Sequence, residues 1–206
     1  MIHELRQYRI RPGAMERYLH LIAEVGGPIR GDAYGRLLGF WLPVSGDGNE
    51  VVHLWEHESL DSRQRLRLEL FALPAWSALV ERIAPLVERQ TIKLLSPLAP
   101  FLAPAGAGNG YELLSLGAVM GQARRMAELA EAELVRSAQA RLVGLWESHA
   151  PDPNEIIGLL AHQDFDARRG SVFGAPLSQS FLASHAASLP GYCTRLMVPA
   201  SHSPLQ

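Results

Sequence analysis

Residues 39–63, GFWLPVSGDGNEVVHLWEHESLDSR, and residues 144–168, GLWESHAPDPNEIIGLLAHQDFDAR, are one segment written twice. Laid over each other without a gap, at an offset of 144 − 39 = 105, they agree at nine of 25 positions. The identities are Gly39/Gly144, Trp41/Trp146, Asp47/Asp152, Asn49/Asn154, Glu50/Glu155, Leu54/Leu159, His57/His162, Asp61/Asp166 and Arg63/Arg168. Two such copies predict two similar units rather than a solenoid, which needs three or more short repeats.

Outward from the first copy, His3 to Ile10 alternates as a strand does, and Arg11-Pro12-Gly13 ends it. Met15, Tyr18, Leu19, Ile22 and Val25 make one helical apolar stripe. Gly26-Gly27-Pro28 is expected to break or kink that helix. Leu37 to Leu42 reads as a strand buried on both faces, and Gly46-Asp47-Gly48-Asn49 as the hairpin turn that follows. On the returning strand, Val51, His53, Trp55 and His57 share one face. Ser59 is the expected N-cap of a charged helix, and Pro74 opens a second helical piece. Gln90 to Leu95 closes the half. The order β, α, β-hairpin, α, β is the ferredoxin-like βαββαβ pattern.

Ser96 to Gly110, SPLAPFLAPAGAGNG, reads as a linker. Its Gly106-Ala107-Gly108 lacks the strand-turn-helix context of a dinucleotide fingerprint. The second half repeats the order. Its helix is expected over Met120 to about Ser137, and its second helical region is shortened around Gly170 and Gly174. The expected fold class is α+β, with tandem ferredoxin-like domains at 1–97 and 111–199, a linker at 98–110 and a frayed tail at 200–206.

Composition excludes several function classes. The chain has 206 residues, 48% hydrophobic and 19% charged, with net charge −2, which gives no electrostatic footprint for nucleic acid. A single cysteine, Cys193, excludes an intrachain disulfide and suits a reducing compartment; inside a predicted strand it is expected to be buried and inert. MIHELRQYRI lacks a signal-peptide layout, and no apolar run is long enough for a membrane span. A soluble cytoplasmic protein is expected.

The first half resembles the NIPSNAP family. The likeness runs through Tyr8, Arg11-Pro12-Gly13, Leu38-Gly39-Phe40-Trp41, Asn49-Glu50-Val51-Val52-His53-Leu54-Trp55, Ser59-Leu60, Arg63 and Pro74-Ala75-Trp76, within residues 3–98. The second half matches only through its likeness to the first, and departs at Gly158 and Leu160, where the first has His53 and Trp55. The resemblance implies a dimeric α+β barrel, here closed within one chain as a pseudo-dimer, with helices outside. The chain would then act as a monomer, or as a homodimer of that unit. A sheet with helices on one face needs cover on the other, and a duplicated partner supplies it with pseudo-two-fold symmetry. The space between the two sheets is the expected ligand pocket.

The candidate site residues are His57, His162, Trp55, Trp41, Trp146 and Arg63. His57 and His162 would occupy equivalent positions near the cavity mouth, as acid or base or as helix-capping groups. Trp41, Trp146 and Trp55 either pack the core or stack on a planar ligand, and a site on Trp55 would be lopsided. Arg63, with Arg65, Arg67, Arg82 and Arg89, either holds an anion or forms a solvated helix face. Glu50 with Arg63, and Glu155 with Arg168, are candidate ion pairs. His53 and His57 lie about 13 Å apart on one strand, so they cannot chelate one metal together. No nucleophile elbow, Walker loop, HExxH or CxxC occurs, and no cofactor is expected. Three readings follow: a binder of a small apolar or aromatic molecule between the sheets; a cofactor-independent oxygenase or isomerase; a scaffold or interaction protein.

Overall fold

The computed structural model describes residues 1–46, 48–105, 110–136, 140–171 and 176–206. Asp47, the Gly106-Ala107-Gly108 run, Ser137 and Gly174 lie outside the described residues. The first half supplies β1 (Ile2–Ile10), β2 (Arg36–Pro43), β3 (Glu50–His57) and β4 (Val87–Pro97). The second supplies β5 (Gly110–Gly117), β6 (Arg141–Ala150), β7 (Glu155–His162) and β8 (Gly191–Pro199). All eight close into one barrel in the order β1-β3-β2-β8-β5-β7-β6-β4. Each half runs in the same internal order, β4-β1-β3-β2 and β8-β5-β7-β6, and the seams are the antiparallel pairs β2–β8 and β4–β6.

Strand alternation sends one residue set into the barrel and the other toward the helices. Leu5, Val52 and Leu54 from one half meet Leu113, Ile157 and Leu159 from the other in a single buried cluster with Trp41 and Trp146. The space between the sheets is therefore filled with side chains, which corrects the expectation of a pocket there. The repeated Gly-x-Trp has a steric cause. Trp41 folds back over Gly39, and Trp146 over Gly144; a methyl group on either glycine would lie 2.2 or 2.3 Å from the indole. Both segments carry a register shift at the same place, between Leu37 and Gly39 and between Leu142 and Gly144.

The repeated glutamates join the halves rather than the neighbouring arginines. Glu50 pairs with Arg195 of β8, and Glu155 with Lys93 of β4. The two cations are themselves equivalent, since 195 − 93 = 102 matches the Pro176 − Pro74 spacing. This corrects the Glu50–Arg63 and Glu155–Arg168 pairing. Position on the strand decides it: Glu50 lies on the Val52–Leu54 face, and Arg63 serves the opposite one.

Three other expectations change. The first helix is not broken at Gly26-Gly27-Pro28. It runs from α1 (Met15–His20) through a π-helical turn (Leu21–Gly26) into α2 (Gly27–Arg30). Pro28 falls in the first turn of α2, where a missing N–H costs little. The tail is anchored rather than frayed: Ser203 Oγ accepts from the Phe40 N–H at 2.9 Å, and Leu205 is buried in the barrel core. Cys193 is exposed, on the stretch of β8 that pairs with β5 alone.

Outside the first sheet lie α3 (Leu60–Ala72), capped by Ser59 Oγ accepting from the Ser62 N–H at 3.0 Å, and α4 (Pro74–Ile83). The second half has α5 (Ala123–Arg136), a six-residue α6 (Phe165–Gly170) and α7 (Gln179–His185). Among the described residues no helix is long and apolar enough to cross a membrane.

Candidate functional site

A cavity of about 630 Å³ lies in the first half, between the outer face of the sheet and the helices covering it. β1 turns Glu4, Arg6 and Tyr8 toward it, and β3 turns His53, Trp55 and His57. Arg63 and Arg67, one helical turn apart on α3, and Arg30 at the end of α2 complete a polar wall. The opposite wall is apolar, with Ile22, Phe71, Trp76, Val80 and Ile83. His202 and Pro204 of the tail also reach it.

Glu4 is the hub of the polar wall. It is fully buried and accepts from both Arg6 and Arg63. Burial alone would raise its pKa, but Arg6 and Arg63 outweigh burial and hold the carboxyl below its ordinary value. Arg6 also donates to Tyr8 Oη at 3.1 Å.

Arg30 has no such partner. It is 6% exposed, and its guanidinium lies 3.4 Å from the centroid of the Trp55 ring, a cation–π contact. Nη2 donates to the Tyr34 carbonyl at 3.0 Å, while Nε is buried and has no partner among the described residues. Among the described residues it meets no carboxylate. Burial, and next the charge of Arg6, push Arg30 down to about 9, so it remains a cation at neutral pH.

The indole below it fixes the neighbouring histidine. Trp55 Nε1 donates to His53 Nδ1 at 2.6 Å. An imidazole accepting at Nδ1 is neutral and carries its proton on Nε2. Burial first, then Arg6 and Arg30, keep His53 well below its ordinary pKa, in agreement with that tautomer. Among the described residues its Nε2 has no partner. The ring stacks on Phe40, centroids 5.1 Å apart and 13° from parallel.

His57 packs against Gly35, whose φ of +105° and lack of a side chain make room for the ring; a Cβ there would lie 2.4 Å from it. Burial pushes His57 down to about 4, despite the attraction of Glu4. The sign follows from linkage. Between about 6.5 and 4 the unfolded chain takes up a proton that the folded His57 refuses, so stability present above 6.5 is lost as pH falls through that window. Melting temperature is expected to fall over that interval, and less steeply in His57→Gln. Parallel curves for the two proteins would refute the assignment.

The second half shows which of these residues the fold itself needs. The strand pairs Ile2–His57 and Gly110–His162 align Glu4 with Glu112. Glu112 is fully buried and accepts from Arg168 Nε at 2.8 Å and Nη2 at 2.5 Å, with His162 Nε2 3.0 Å away. The glutamate, arginine and histidine are thus common to both halves. Arg6, Tyr8, His53 and Trp55 are not: they become Leu114, Leu116, Gly158 and Leu160. The matching space is occupied by a packed core that includes Leu114, Leu116, Leu160, Met126 and Phe181.

Of the expected site residues, His57, Trp55 and Arg63 line the cavity. His162 is buried beside Glu112 in the other half. Trp41 and Trp146 lie in the barrel core, so neither can stack on a ligand in this cavity; Trp146 Nε1 donates to His3 Nδ1 at 2.7 Å. Sequence reading overlooked Arg6, Tyr8 and Arg30. For the first two a signal existed: Glu4, Arg6 and Tyr8 put three polar groups on a strand face that helices must cover.

The NIPSNAP family model matches residues 3–101. A provisionally assigned NipSnap protein of Caenorhabditis elegans is 31% identical over 96 residues, 47% of this chain; the chain spans only 18% of that relative's length. A solved NIPSNAP family protein from Agrobacterium tumefaciens is 36% identical over 48% of this chain and 96% of its own, with a TM-score of 0.46. A solved protein from Fusobacterium nucleatum, provisionally described as a monooxygenase, covers 96% of this chain and 91% of its own with a TM-score of 0.67. At 10% identity that likeness speaks to the fold alone.

Proposed function

This chain belongs to the NIPSNAP family, and from that premise we propose that it binds a small, partly aromatic molecule between its first sheet and the helices covering it. One observation carries the reading. Two halves of one chain share an ion-paired framework, yet only the first has Arg6, Tyr8, His53 and Trp55 around an open cavity. Groups needed only for folding would have been equally useful in both. The volume lies within the usual range for small-molecule sites. The reading takes residues 1–97 and 111–199 as duplicated ferredoxin-like units joined by 98–110, with the barrel complete in a monomer. A filled barrel suits a scaffold as well; the cavity outside the barrel favours a binder.

Trp55→Leu installs the residue that the second half carries. It is expected to weaken a ligand found by thermal-shift screening by about tenfold or more, as loss of a buried aromatic anchor does. Unchanged affinity would remove this cavity as the site.

A second reading, a cofactor-independent oxygenase or isomerase, draws support from His53. A neutral imidazole with a free Nε2–H in a buried wall can hydrogen-bond to oxyanion character developing on a bound substrate. His53→Ala tests this second reading by turnover: an enzyme loses turnover by far more than it loses affinity for its ligand, and a candidate substrate converted equally well by both proteins would refute the role.

A further inference from the structure

We infer that the molecule bound here is an organic acid, its anionic group seated against Arg30 and Arg67 and its apolar body against α4. The inference rests on the small-molecule reading above and adds the ligand's charge.

The cavity wall holds five arginines against two carboxylates, Glu4 and Asp32. Three of the five are accounted for. Arg6 and Arg63 share Glu4, and Arg36 reaches Glu56 at 2.7 Å. Arg30 and Arg67 have no carboxylate among the described residues. Arg67 has only the Phe71 ring, 5.3 Å from its guanidinium carbon, and Arg30 only the Trp55 ring and one carbonyl.

A buried guanidinium without a counter-ion is costly, and it persists where a bound anion completes the site. Burial and the charge of Arg6 lower both Arg30 and Arg67, and Arg67 adds to the effect at Arg30. An anion between the two would relieve that repulsion. Among the described residues the Nε of Arg30 is buried and has no partner. His53 brings a further buried donor, Nε2–H, to the same wall. The second half again serves as comparison: its packed core carries no counterpart of Arg6 and holds no charge in that position.

The apolar wall decides against a bare inorganic anion. Trp76, Val80 and Ile83 of α4, with Ile22 and Phe71, would face water if only phosphate occupied the polar end. A carboxylate on an aromatic or alkyl body satisfies both walls.

The test compares matched acids and primary amides, 1-naphthoate with 1-naphthamide and decanoate with decanamide, alongside inorganic phosphate. Binding is read by calorimetry on the full chain, as wild type, Arg67→Met and Arg30→Met. Arg67 is only partly buried on α3, so its variant remains informative should Arg30→Met fail to fold. The acids are expected to bind wild type at least about tenfold more tightly than the amides, and Arg67→Met to remove most of that difference. Acids and amides binding alike, with Arg67→Met unchanged, would overturn the organic-acid inference while leaving the small-molecule reading intact. Phosphate binding as tightly as the acids would overturn the organic part. Binding by none of the probes would count against both readings.

Discussion

Gly39→Ala is expected to destabilise the protein by about 3 kcal/mol, the upper part of the range for overpacking a core. The added methyl would lie 2.2 Å from Cζ2 of Trp41, well inside contact distance. Trp41 is 1% exposed and packed among residues from both halves, so the indole has no free space to move into. Gly144→Ala repeats the experiment against Trp146, at 2.3 Å. Gly48→Ala is the control, since nothing lies within 4 Å of its would-be Cβ. Urea denaturation should show a lower midpoint with an unchanged slope for the first two and almost no change for the third. Combining Gly39→Ala with Trp41→Leu should cost less than the two losses added, because removing the ring removes the clash. A Gly39→Ala protein within about 0.5 kcal/mol of wild type would show that the Gly-x-Trp repeat has another cause.

That motif illustrates how much the sequence could reveal. The repeat of residues 39–63 at 144–168 announced two like halves, and alternation placed Val51, His53, Trp55 and His57 on one face. Both are local patterns, which a linear reading captures. The cavity's side of the sheet is another matter. Whether the open face of His53 and Trp55 looks into the barrel or out to the helices depends on which residues are bulky enough to fill the interior. Trp41 and Trp146 fill it, and nothing local to either residue says so. The ion pairs failed for a related reason. Glu50 lies only 13 residues from Arg63, yet it faces inward and pairs with Arg195, far along the chain. Arg30 was hidden behind Gly26-Gly27-Pro28, which reads as a helix end; the π-helical turn carries the helix through it and delivers the guanidinium onto Trp55. His57 and Arg63 were reachable because they recur. Arg6, His53 and Trp55 were informative for the opposite reason, as positions where a duplicated chain kept polar or aromatic groups in one copy and replaced them with Leu or Gly in the other.

The same asymmetry predicts that Glu4→Gln and Glu112→Gln will cost similar stability and differ in function. Both carboxylates are fully buried, and each is met by a guanidinium, Arg6 and Arg63 at Glu4 and Arg168 at Glu112, where His162 Nε2 also lies 3.0 Å away. Neutralising one partner leaves the others buried without compensation, which typically costs about 3–5 kcal/mol. In each case burial pulls the pKa up, the donors outweigh it, and the folded carboxyl stays below the ordinary 4.5. The stabilisation is therefore fully present above about 4.5 and disappears as pH falls through the lower folded values, a window that begins where that of His57, between about 6.5 and 4, is nearly complete. Stability below pH 4.5 should depend less on pH in either variant than in wild type. Ligand affinity should separate them. Glu4→Gln frees Arg6 and Arg63 inside the cavity and should alter the binding of acids, whereas Glu112→Gln acts in the half whose matching space is packed and should leave the affinity of the folded protein unchanged. Equal effects on binding would mean that the two halves do not divide the work between framework and site.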